Sequence, residues 1–578
     1  MKNFFKLFFF FLSQSVFAQF QVGLANSNYA GTNAMYLNPS TIADSKYKFY
    51  FNIGGINHSV SNNFVKWQAP FPYWGTFAVG APIPLSLKKS ISPTRVSEAG
   101  VLKLDTNPLG TPDINFADYR GGVNDKIIGN MNLDFRLLSF MTEIPKINAS
   151  IGFGMRFRGM MDFRNVSTLV GQFIGAGLDS PTFSPLFALP AIANESINTK
   201  ISFFHETGLT FGKVILDDGQ NLLKIGGTMK YLGGILHLGI QADNTTIGLR
   251  SGGSGGVGST RINVISADYL SMHVTSDDIV KPFIADLTLN PLNAINPIYL
   301  FRSKTAGRGL GGDLGLTYEF LDVDMDFSSR KFKGLEKTEN RYRLKIGASV
   351  NDIGRIKYVI NGNRGNQTIK SFEKRNFKNT TGGIPLELYG AKKLKFKQTA
   401  EPFLDNWFSL SSAFADSINL NGFRVGLPTA LNINVDYKIL KNVYLGAILV
   451  QNLTFLNKNY SQPSPNTLAI IPRYETKYFE ASLPLLMTNR YNNFQVGLAL
   501  RAGPIYLGTD HLFSTLNFKG QRGADFYLGA SVPIYNKPVR KTAQDLNLGD
   551  SRTIWEIMRE NLRKRKIREL HRKEMKRG

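Results

Sequence analysis

Residues 321–327 read LDVDMDF and residues 341–350 read RYRLKIGASV, and one alternating pattern runs through both stretches. Apolar side chains occupy every second position. The positions between them are first acidic and then basic, at Asp322, Asp324, Asp326, Arg341, Arg343 and Lys345. Because successive side chains of a β-strand point to opposite faces, each strand has one charged face and one apolar face. The pattern predicts two amphipathic strands.

A hairpin of these two strands would bring opposite charges together. One antiparallel register forms three pairs: Asp326 with Arg341, Asp324 with Arg343, and Asp322 with Lys345. Each pair contributes roughly 0.2–1 kcal/mol. We interpret the charged face as the lumen of a β-barrel and the apolar face as the side that meets lipid. A soluble sandwich, with its apolar face inside, remains the alternative from this segment alone.

A second strand pair repeats the pattern less regularly, within residues 132–137 and 155–161. One register pairs Asp134 with Arg158 and Arg136 with Arg156. Two arginines opposite each other require a lumenal anion or a further acidic partner. We therefore hypothesise a polar, partly basic lumen to which Arg156 and Arg158 contribute, together with the basic residues of the first pair.

Strand-like segments of about ten residues recur along the chain, and this is the length that a tilted transmembrane strand needs. We count about fourteen, with an error of about two. Short connections at residues 217–219, 440–442 and 502–504 contrast with long inserts near residues 82–129, 165–198 and 361–428. The fold class predicted is all-β, a transmembrane antiparallel barrel over residues 47–536.

The N-terminus has the order of a secretory signal: Lys2 and Lys6, an apolar run, and small or apolar residues before a cleavage site after Ala18. Residues 1–18 are therefore predicted to be a signal peptide. No later apolar stretch is long enough to span a membrane as a helix, so the mature chain is either soluble outside the cytoplasm or a closed barrel in the bacterial outer membrane. The amphipathic strands favour the barrel. The 578 residues contain no cysteine and carry a formal net charge of +25. Since export separates the chain from nucleic acid, outer-membrane lipid is the expected partner.

One long insert, residues 165–198, is too apolar for a freely solvated loop. It contains Phe173 and Phe187 within VGQFIGAGL and FSPLFALPAIA. Three interpretations stay open: a lid packed into the lumen, the lining of a ligand pocket, or a cover on the barrel rim.

Residues 28–44 read NYAGTNAMYLNPSTIAD, and the triplet Asn38-Pro39-Ser40 within them resembles the Asn-Pro-Ala motif at the mature N-terminus of the long-chain fatty acid transporter family. The third position departs from that motif, and an ordinary turn is the alternative. The resemblance implies that residues 19–46 form a hatch that plugs a fourteen-stranded barrel. Residues 434–447, 494–513 and 526–535 are similar to uncharacterised outer-membrane barrels of Bacteroidetes, for which no substrate is established.

The tail, residues 537–578, is predicted to lie on the periplasmic side and to be helical from about residue 551. Residues 551–578 contain eleven Lys or Arg and four Glu. Apolar residues recur at helical spacing, at Ile554, Met558 and Leu562, with Trp555 beside them. A solvated helix is one interpretation. Docking to an anionic periplasmic partner through Trp555 is the other.

Signals for catalysis and metal binding are weak. The six histidines are scattered, without a metal-binding or nucleophile motif. The Asp322–Asp326 spacing resembles a calcium loop, but Phe327 stands where such a loop needs glycine. We expect no enzyme activity, no metal and no cofactor.

The function predicted is binding or passage of a small molecule, a hydrophobic one among the candidates. It would be captured by the insert around Phe173 and Phe187 and released past a movable hatch. A non-transporting envelope scaffold, or a secretion or assembly partner anchored by the barrel, is the alternative.

Overall fold

The computed structural model describes residues 21–63, 65–67, 92–96, 101–105, 114–119, 126–167, 192–218, 220–250, 261–275, 305–321, 340–359, 370–378, 384–386, 422–454, 461–462, 466–488, 493–518 and 521–536. Several predictions fall outside these residues: the signal peptide 1–18, Phe173, Phe187, Asp322, Asp324, Asp326, and the tail 537–578 with Trp555.

Twenty-five β-strand segments make up most of the described chain. Their bounds are β1 Tyr47–Asn62, β2 Val65–Trp67, β3 Ser92–Val96, β4 Val101–Asp105, β5 Ile114–Tyr119, β6 Lys126–Arg136, β7 Ser139–Ile144, β8 Ala149–Ser167, β9 Ile192–Asp217, β10 Asn221–Arg250, β11 Arg261–Val274, β12 Gly307–Leu321, β13 Tyr342–Val359, β14 Lys370–Lys378, β15 Ile384–Leu386, β16 Gly422–Gly426, β17 Ala430–Leu440, β18 Val443–Asn452, β19 Thr467–Glu475, β20 Phe479–Ser482, β21 Leu485–Thr488, β22 Asn493–Val496, β23 Leu498–Ala502, β24 Ile505–Thr509 and β25 Gly523–Tyr535. β2–β5 form a separate four-stranded sheet, and the other 21 segments form one sheet.

The large sheet closes on itself, because β1 pairs antiparallel with β25 as well as with β6 and β7. Five of its strands are interrupted once, namely β6/β7, β14/β15, β16/β17, β20/β21 and β22/β23, so the 21 segments amount to sixteen strands. The sequence-based count of about fourteen is lower by two. The difference arises at β10, whose first half pairs with β12 while its second half pairs with β11. β11 and β14/β15 thus extend the wall beyond the start of β12.

The connections between strands differ in length at the two ends of the barrel. Short ones, such as residues 145–148, 441–442 and 503–504, lie at one end, which we call the turn end. The opposite end, which we call the loop end, receives the long inserts. Both β1 and β25 reach the turn end, where Tyr47 pairs with Tyr535.

The first predicted hairpin forms, but its predicted register is wrong. β12 and β13 pair so that Glu319 lies opposite Lys345, three positions from the predicted partner Asp322. A register shift places Leu321 opposite Tyr342 and Phe320 opposite Leu344. Arg343 is the extra residue of this bulge, so its side chain does not point to the inner face. Arg343 is exposed and donates to the Tyr437 hydroxyl at 3.3 Å. Its predicted lumenal position is therefore also wrong.

The second predicted register is confirmed. β6 and β8 pair with Asp134 opposite Arg158 and Arg136 opposite Arg156. All four side chains are buried. The expected further acidic partners are present too, as shown below.

The outer face of the barrel is apolar. Large hydrophobic side chains are exposed on strand after strand, including Leu209, Phe211, Ile225, Met229, Leu314, Leu316, Ile346, Leu445, Ile470, Leu507 and Leu528. Along β19, buried and exposed residues alternate without exception. A soluble sandwich would bury this apolar face, whereas here the buried face carries the charges. Apolar-out, polar-in alternation is the pattern of barrels whose surroundings are lipid.

Helices are few and short in the part of the chain that is described. They are α1 Val22–Ala25, α2 Leu512–Thr515, and the 3₁₀ helices Gly31–Tyr36, Pro39–Ile42 and Pro145–Ile147. Among these described helices, none combines the length and the apolar character needed to cross a membrane.

Candidate functional site

Residues 21–43, which we call the inner segment, lie inside the barrel. They contact residues on strands around the whole circumference: Ser139, Gly226, Thr317, Ser349, Asn434 and Ser482. All of its residues are buried except Asn28 and Thr41, which are partly exposed. No residue of the inner segment is charged. An uncharged segment therefore lies inside a barrel whose inner wall is ionic.

The Asn38-Pro39-Ser40 triplet fastens the inner segment to the wall. The Asn38 side chain caps the 3₁₀ helix Pro39–Ile42, since its Oδ1 accepts from the backbone N–H of Ser40 at 3.0 Å. Its Nδ2 donates to the Leu316 carbonyl oxygen at 3.0 Å. The hydroxyls of Ser40 and Thr317 are 2.7 Å apart. The triplet is thus both a local turn and a docking element.

Two wall glycines let the triplet approach this closely. A Cβ atom at Gly226 would lie 2.6 Å from the backbone of Pro39, and one at Gly315 would lie 2.2 Å from Oδ1 of Asn38. Both distances are too short for any side chain. Glycine is required at position 226 because the two backbones meet there, and at position 315 because the Asn38 side chain lies against the strand.

Gly226→Val is expected to push the triplet off the wall while leaving the strand intact, because valine suits a strand but not this contact. The matched control is Gly227→Val, where a Cβ would meet neighbours at an ordinary 3.5 Å. With Ala34→Cys as a reporter, maleimide labelling of folded protein should rise severalfold in the Gly226 variant only. Equal labelling of both variants would show that the triplet does not hold the inner segment.

Behind the inner segment, four bases and four acids form the central ionic cluster: Arg136, Arg156, Arg158, Lys230, Asp134, Glu206, Asp313 and Asp352. Their side chains are at most 9% exposed. The numbers of positive and negative charges are equal. Burial of this many charges is tolerable only when each one is paired.

Of the two opposed arginines, Arg136 lies 3.3 Å from Asp134, whereas Arg156 has Glu206 and Asp352 as its acidic partners, which it shares with Arg158. Glu206 forms an ion pair with Arg156 and lies 3.3 Å from Arg158. Asp352 lies 2.8 Å from Arg158 and 2.7 Å from Nζ of Lys230. A protein carboxylate, rather than a bound anion, thus neutralises the arginine pair. Neither partner was identified from the sequence, since no local pattern links β9 or β13 to β8.

The cluster also holds the inner segment. Arg136 donates to Oε1 of Gln21 at 2.9 Å and to Oδ1 of Asn33 at 2.7 Å. The guanidinium of Arg156 lies 4.5 Å above the ring of Tyr36. Burial raises the pKa of Tyr36 to about 12, so its ring meets the arginines in the neutral form. These contacts combine cation–π attraction with charge-assisted hydrogen bonds.

Two further clusters lie around the rest of the inner segment. The turn-end cluster joins Lys224 and Arg341 to Asp44, Asp217 and Glu319. The side cluster joins Lys345, Arg473 and Arg501 to Asp436, Glu475 and Glu480. Arg341 and Lys345 are therefore inside the barrel but in different clusters.

The expected excess of lumenal base is absent from the described interior. In each of the three clusters the acids equal or outnumber the bases, although the whole chain carries +25. Of the predicted lumenal bases, Arg156, Arg158 and Lys345 lie inside the barrel, and a carboxylate from another strand lies close to each of them. The lumen is polar and charge-matched.

Toward the loop end, the interior becomes apolar. Nine buried residues form a patch that we call the apolar cluster: Met160, Phe204, Leu232, Ala306, Ile356, Tyr358, Phe423, Val425 and Leu427. A cleft opens on it, also lined by Ser202 and Gln462. The cluster adjoins the central ionic cluster, since Arg158 lies 5.3 Å from the centre of the Phe204 ring. At the turn end, a polar cavity of about 60 Å³ separates the inner segment from the wall at Asn28, Lys224 and Tyr342.

Histidine, aspartate and glutamate side chains nowhere gather in threes at metal-binding distance within the described ranges. His205 and Glu206, neighbours on β9, pair across the sheet with different residues of β8, Phe157 and Arg156.

Solved structures of outer-membrane channels are similar to this chain in architecture. They include the Pseudomonas putida toluene transporter TodX, which is 9% identical with a TM-score of 0.33 and matches over 90% of this chain and 95% of its own. A Pseudomonas aeruginosa FadL homologue is 10% identical with a TM-score of 0.29, over 90% and 100% of the two chains. The Ralstonia pickettii toluene transporter TbuX is 9% identical with a TM-score of 0.28, over 91% and 100%. These likenesses are geometrically loose, so the strand pairing of the chain itself defines its fold.

Among curated proteins, none matches the chain. A family profile does match, over residues 39–510, which is most of the sequence. The matched range begins at Pro39 of the docking triplet and includes the central ionic cluster. The chain belongs to DUF5723, a family of unknown function.

Proposed function

We propose that this protein is an outer-membrane channel for small molecules and that the inner segment is its gate. The observation that carries the proposal is the uncharged inner segment, which is held within a closed barrel by hydrogen bonds, apolar packing and contacts of the Tyr36 ring with arginines. Since the segment has no charged residue, it forms no ion pair with the wall. This separate element fills a lumen that strand geometry would otherwise leave open.

The outer face supports the location. Exposed leucine, isoleucine and phenylalanine surround the strands, while the charged residues point inward. An apolar belt of this extent is unfavourable in water and favourable in hydrocarbon. The predicted secretory signal fits the same location.

The contacts of the inner segment suit a gate rather than a permanent plug. Ser27 donates to Glu480 at 2.7 Å, and Asn28 donates to Glu475 at 2.7 Å. Because the wall charges already pair with one another, they keep ionic partners when the inner segment moves. Water can replace the neutral amide and hydroxyl groups of the inner segment as hydrogen-bond partners. Displacement of the inner segment therefore leaves no buried charge without a partner.

The route that we propose runs from the loop end to the turn end. A small molecule with an apolar body first binds at the apolar cluster, beside Phe204 and Tyr358. It then passes the displaced inner segment and leaves through the polar cavity near Asn28. Capture by the insert around Phe173 and Phe187 stays a prediction, since those residues lie outside the described part of the chain.

Locking the inner segment to the wall tests the gate. Because the chain has no cysteine, Ser40→Cys with Thr317→Cys creates a single pair, at hydroxyls now 2.7 Å apart. Oxidation should reduce solute uptake into proteoliposomes to the background rate, and reduction should restore it. Uptake is measured by liposome swelling with solutes of increasing size.

The control pair is Thr210→Cys with Thr228→Cys, whose hydroxyls are 2.9 Å apart on neighbouring strands of the wall. This disulfide would tie wall to wall and should leave uptake unchanged. If the Ser40–Thr317 disulfide also left uptake unchanged, the inner segment would not be the gate.

A further inference from the structure

We infer that the molecule taken up has an apolar body and an uncharged hydrogen-bonding head, such as a hydroxyl or an amide, rather than a carboxylate. This inference rests on the proposed function and names the class of substrate for the same site. Three features of the interior support it: the charge balance, a polar strip of the wall, and the contact of that strip with the apolar cluster.

The charge balance argues against an anionic head. Two described bases beside the apolar cluster, Arg158 and Lys230, already lie within 2.8 Å of carboxylates. A substrate carboxylate could bind either one only by separating it from Asp352 or Asp313. Breaking a buried ion pair leaves an uncompensated charge, which is strongly unfavourable. Neither Arg158 nor Lys230 is therefore available to an anion without such a loss.

The polar strip lies on β25, β1 and β6, across the lumen's inner face. In one row, Tyr527, Asn57 and Asp134 lie side by side on the three strands. Asp134 reaches the central ionic cluster, so this row faces the lumen. Rows two and four residues away along each strand share that face. They place Ser61 beside Asn130, further toward the loop end.

Several groups of the polar strip are buried and lack a hydrogen-bond partner. They are both amide atoms of Asn57, the hydroxyl of Ser61 and Nδ2 of Asn130. These residues are 2%, 0% and 4% exposed. A buried polar group left unpaired costs about 1–3 kcal/mol, and native proteins pair nearly all such groups. The unpaired groups here are neutral donors and acceptors, which match a hydroxyl or an amide head.

The polar strip and the apolar cluster meet, so one small molecule can contact both. Asn132 on β6 lies directly opposite Met160 on β8, and Met160 belongs to the apolar cluster. Directly opposite residues have Cβ atoms only about 4.5–5.5 Å apart. The row continues from Met160 to Ser202, which lines the apolar cleft. The interior is therefore amphipathic around its circumference.

Three probes with the same ten-carbon chain test the inference: decane, 1-decanol and decanoate. Their affinities are measured at pH 7.4 on the full mature chain in lipid nanodiscs, by competition against a fluorescent alkyl ligand. We expect 1-decanol to bind about tenfold tighter than decane, since a site with hydrogen-bonding groups discriminates against a ligand that lacks them. Decanoate is expected to bind no tighter than decane.

Asn57→Leu should abolish the preference for 1-decanol over decane. Met229→Leu, on the outer face, is the control and should keep the preference. The comparison of probes on the unaltered protein does not depend on the folding of any variant. Equal affinities for decane and 1-decanol, or tightest binding of decanoate, would overturn the inference and leave the proposed channel standing. If none of the three bound, the proposed function would fail with it.

Discussion

A chain without residues 21–43 is expected to form a permanently open pore. The deletion removes no charge, so the three ionic clusters of the wall keep all their ionic partners. The barrel has sixteen strands, and barrels of that size enclose an aqueous channel when nothing fills them. Single-channel conductance in planar bilayers should rise at least about tenfold above that of the full mature chain, without closures.

Two measurements make this result interpretable. Heat-modifiable migration on gels should be the same for both proteins, which shows that the shortened chain still forms a barrel. Full-length protein carrying the oxidised Ser40–Thr317 disulfide should stay at the closed level in the same bilayers. A folded deletion variant that remains closed would show that the wall side chains, and not the inner segment, obstruct the lumen.

The second large effect is expected at Glu206. Glu206→Gln keeps the size of the side chain but removes the charge that neutralises Arg156 and lies 3.3 Å from Arg158. Because both arginines are buried, the variant should lose about 3–5 kcal/mol of its free energy of unfolding. Denaturant titration of the protein folded into lipid vesicles gives this quantity directly.

Restoring the balance should restore stability. Glu206→Gln combined with Arg156→Gln leaves three bases and three acids in the central ionic cluster, so the double variant should recover much of the loss. Glu143→Gln, a half-buried position near the turn end, should cost less than about 0.5 kcal/mol. A double variant less stable than Glu206→Gln alone would show that packing, and not charge, dominates at this site.

The sequence predicted the parts of the site that lie along single strands. Alternation placed Arg156 and Arg158 on one face, and the register that opposes Arg136 to Arg156 followed from one neighbouring strand. The docking triplet could also be recognised in the sequence, because Asn-Pro-Ser forms a turn through hydrogen bonds among its own residues. These features depend on residues close together in the chain, which a pattern can reveal.

The other contacts of the site could be identified only from the closed barrel. Asp352 is 194 residues from Arg158, and Ser40 is 277 residues from Thr317, so no local pattern could connect them. The bulge at Tyr342 turned Arg343 outward, although strict alternation with Lys345 placed it inside. The strand number depended on how β10 divides its length between two partners.

The alternating stretches that begin at Leu321 and Arg341 therefore determined the class of the fold. They determined little about which charged residues pair with one another. By itself, the sequence fixes which faces are charged and which are apolar, because side chains of a strand alternate whatever lies beside it. Only the tertiary structure decides which charges meet. Register, bulges and closure involve the whole barrel, and they bring buried bases such as Arg158 and Lys345 to acids on other strands around an uncharged inner segment.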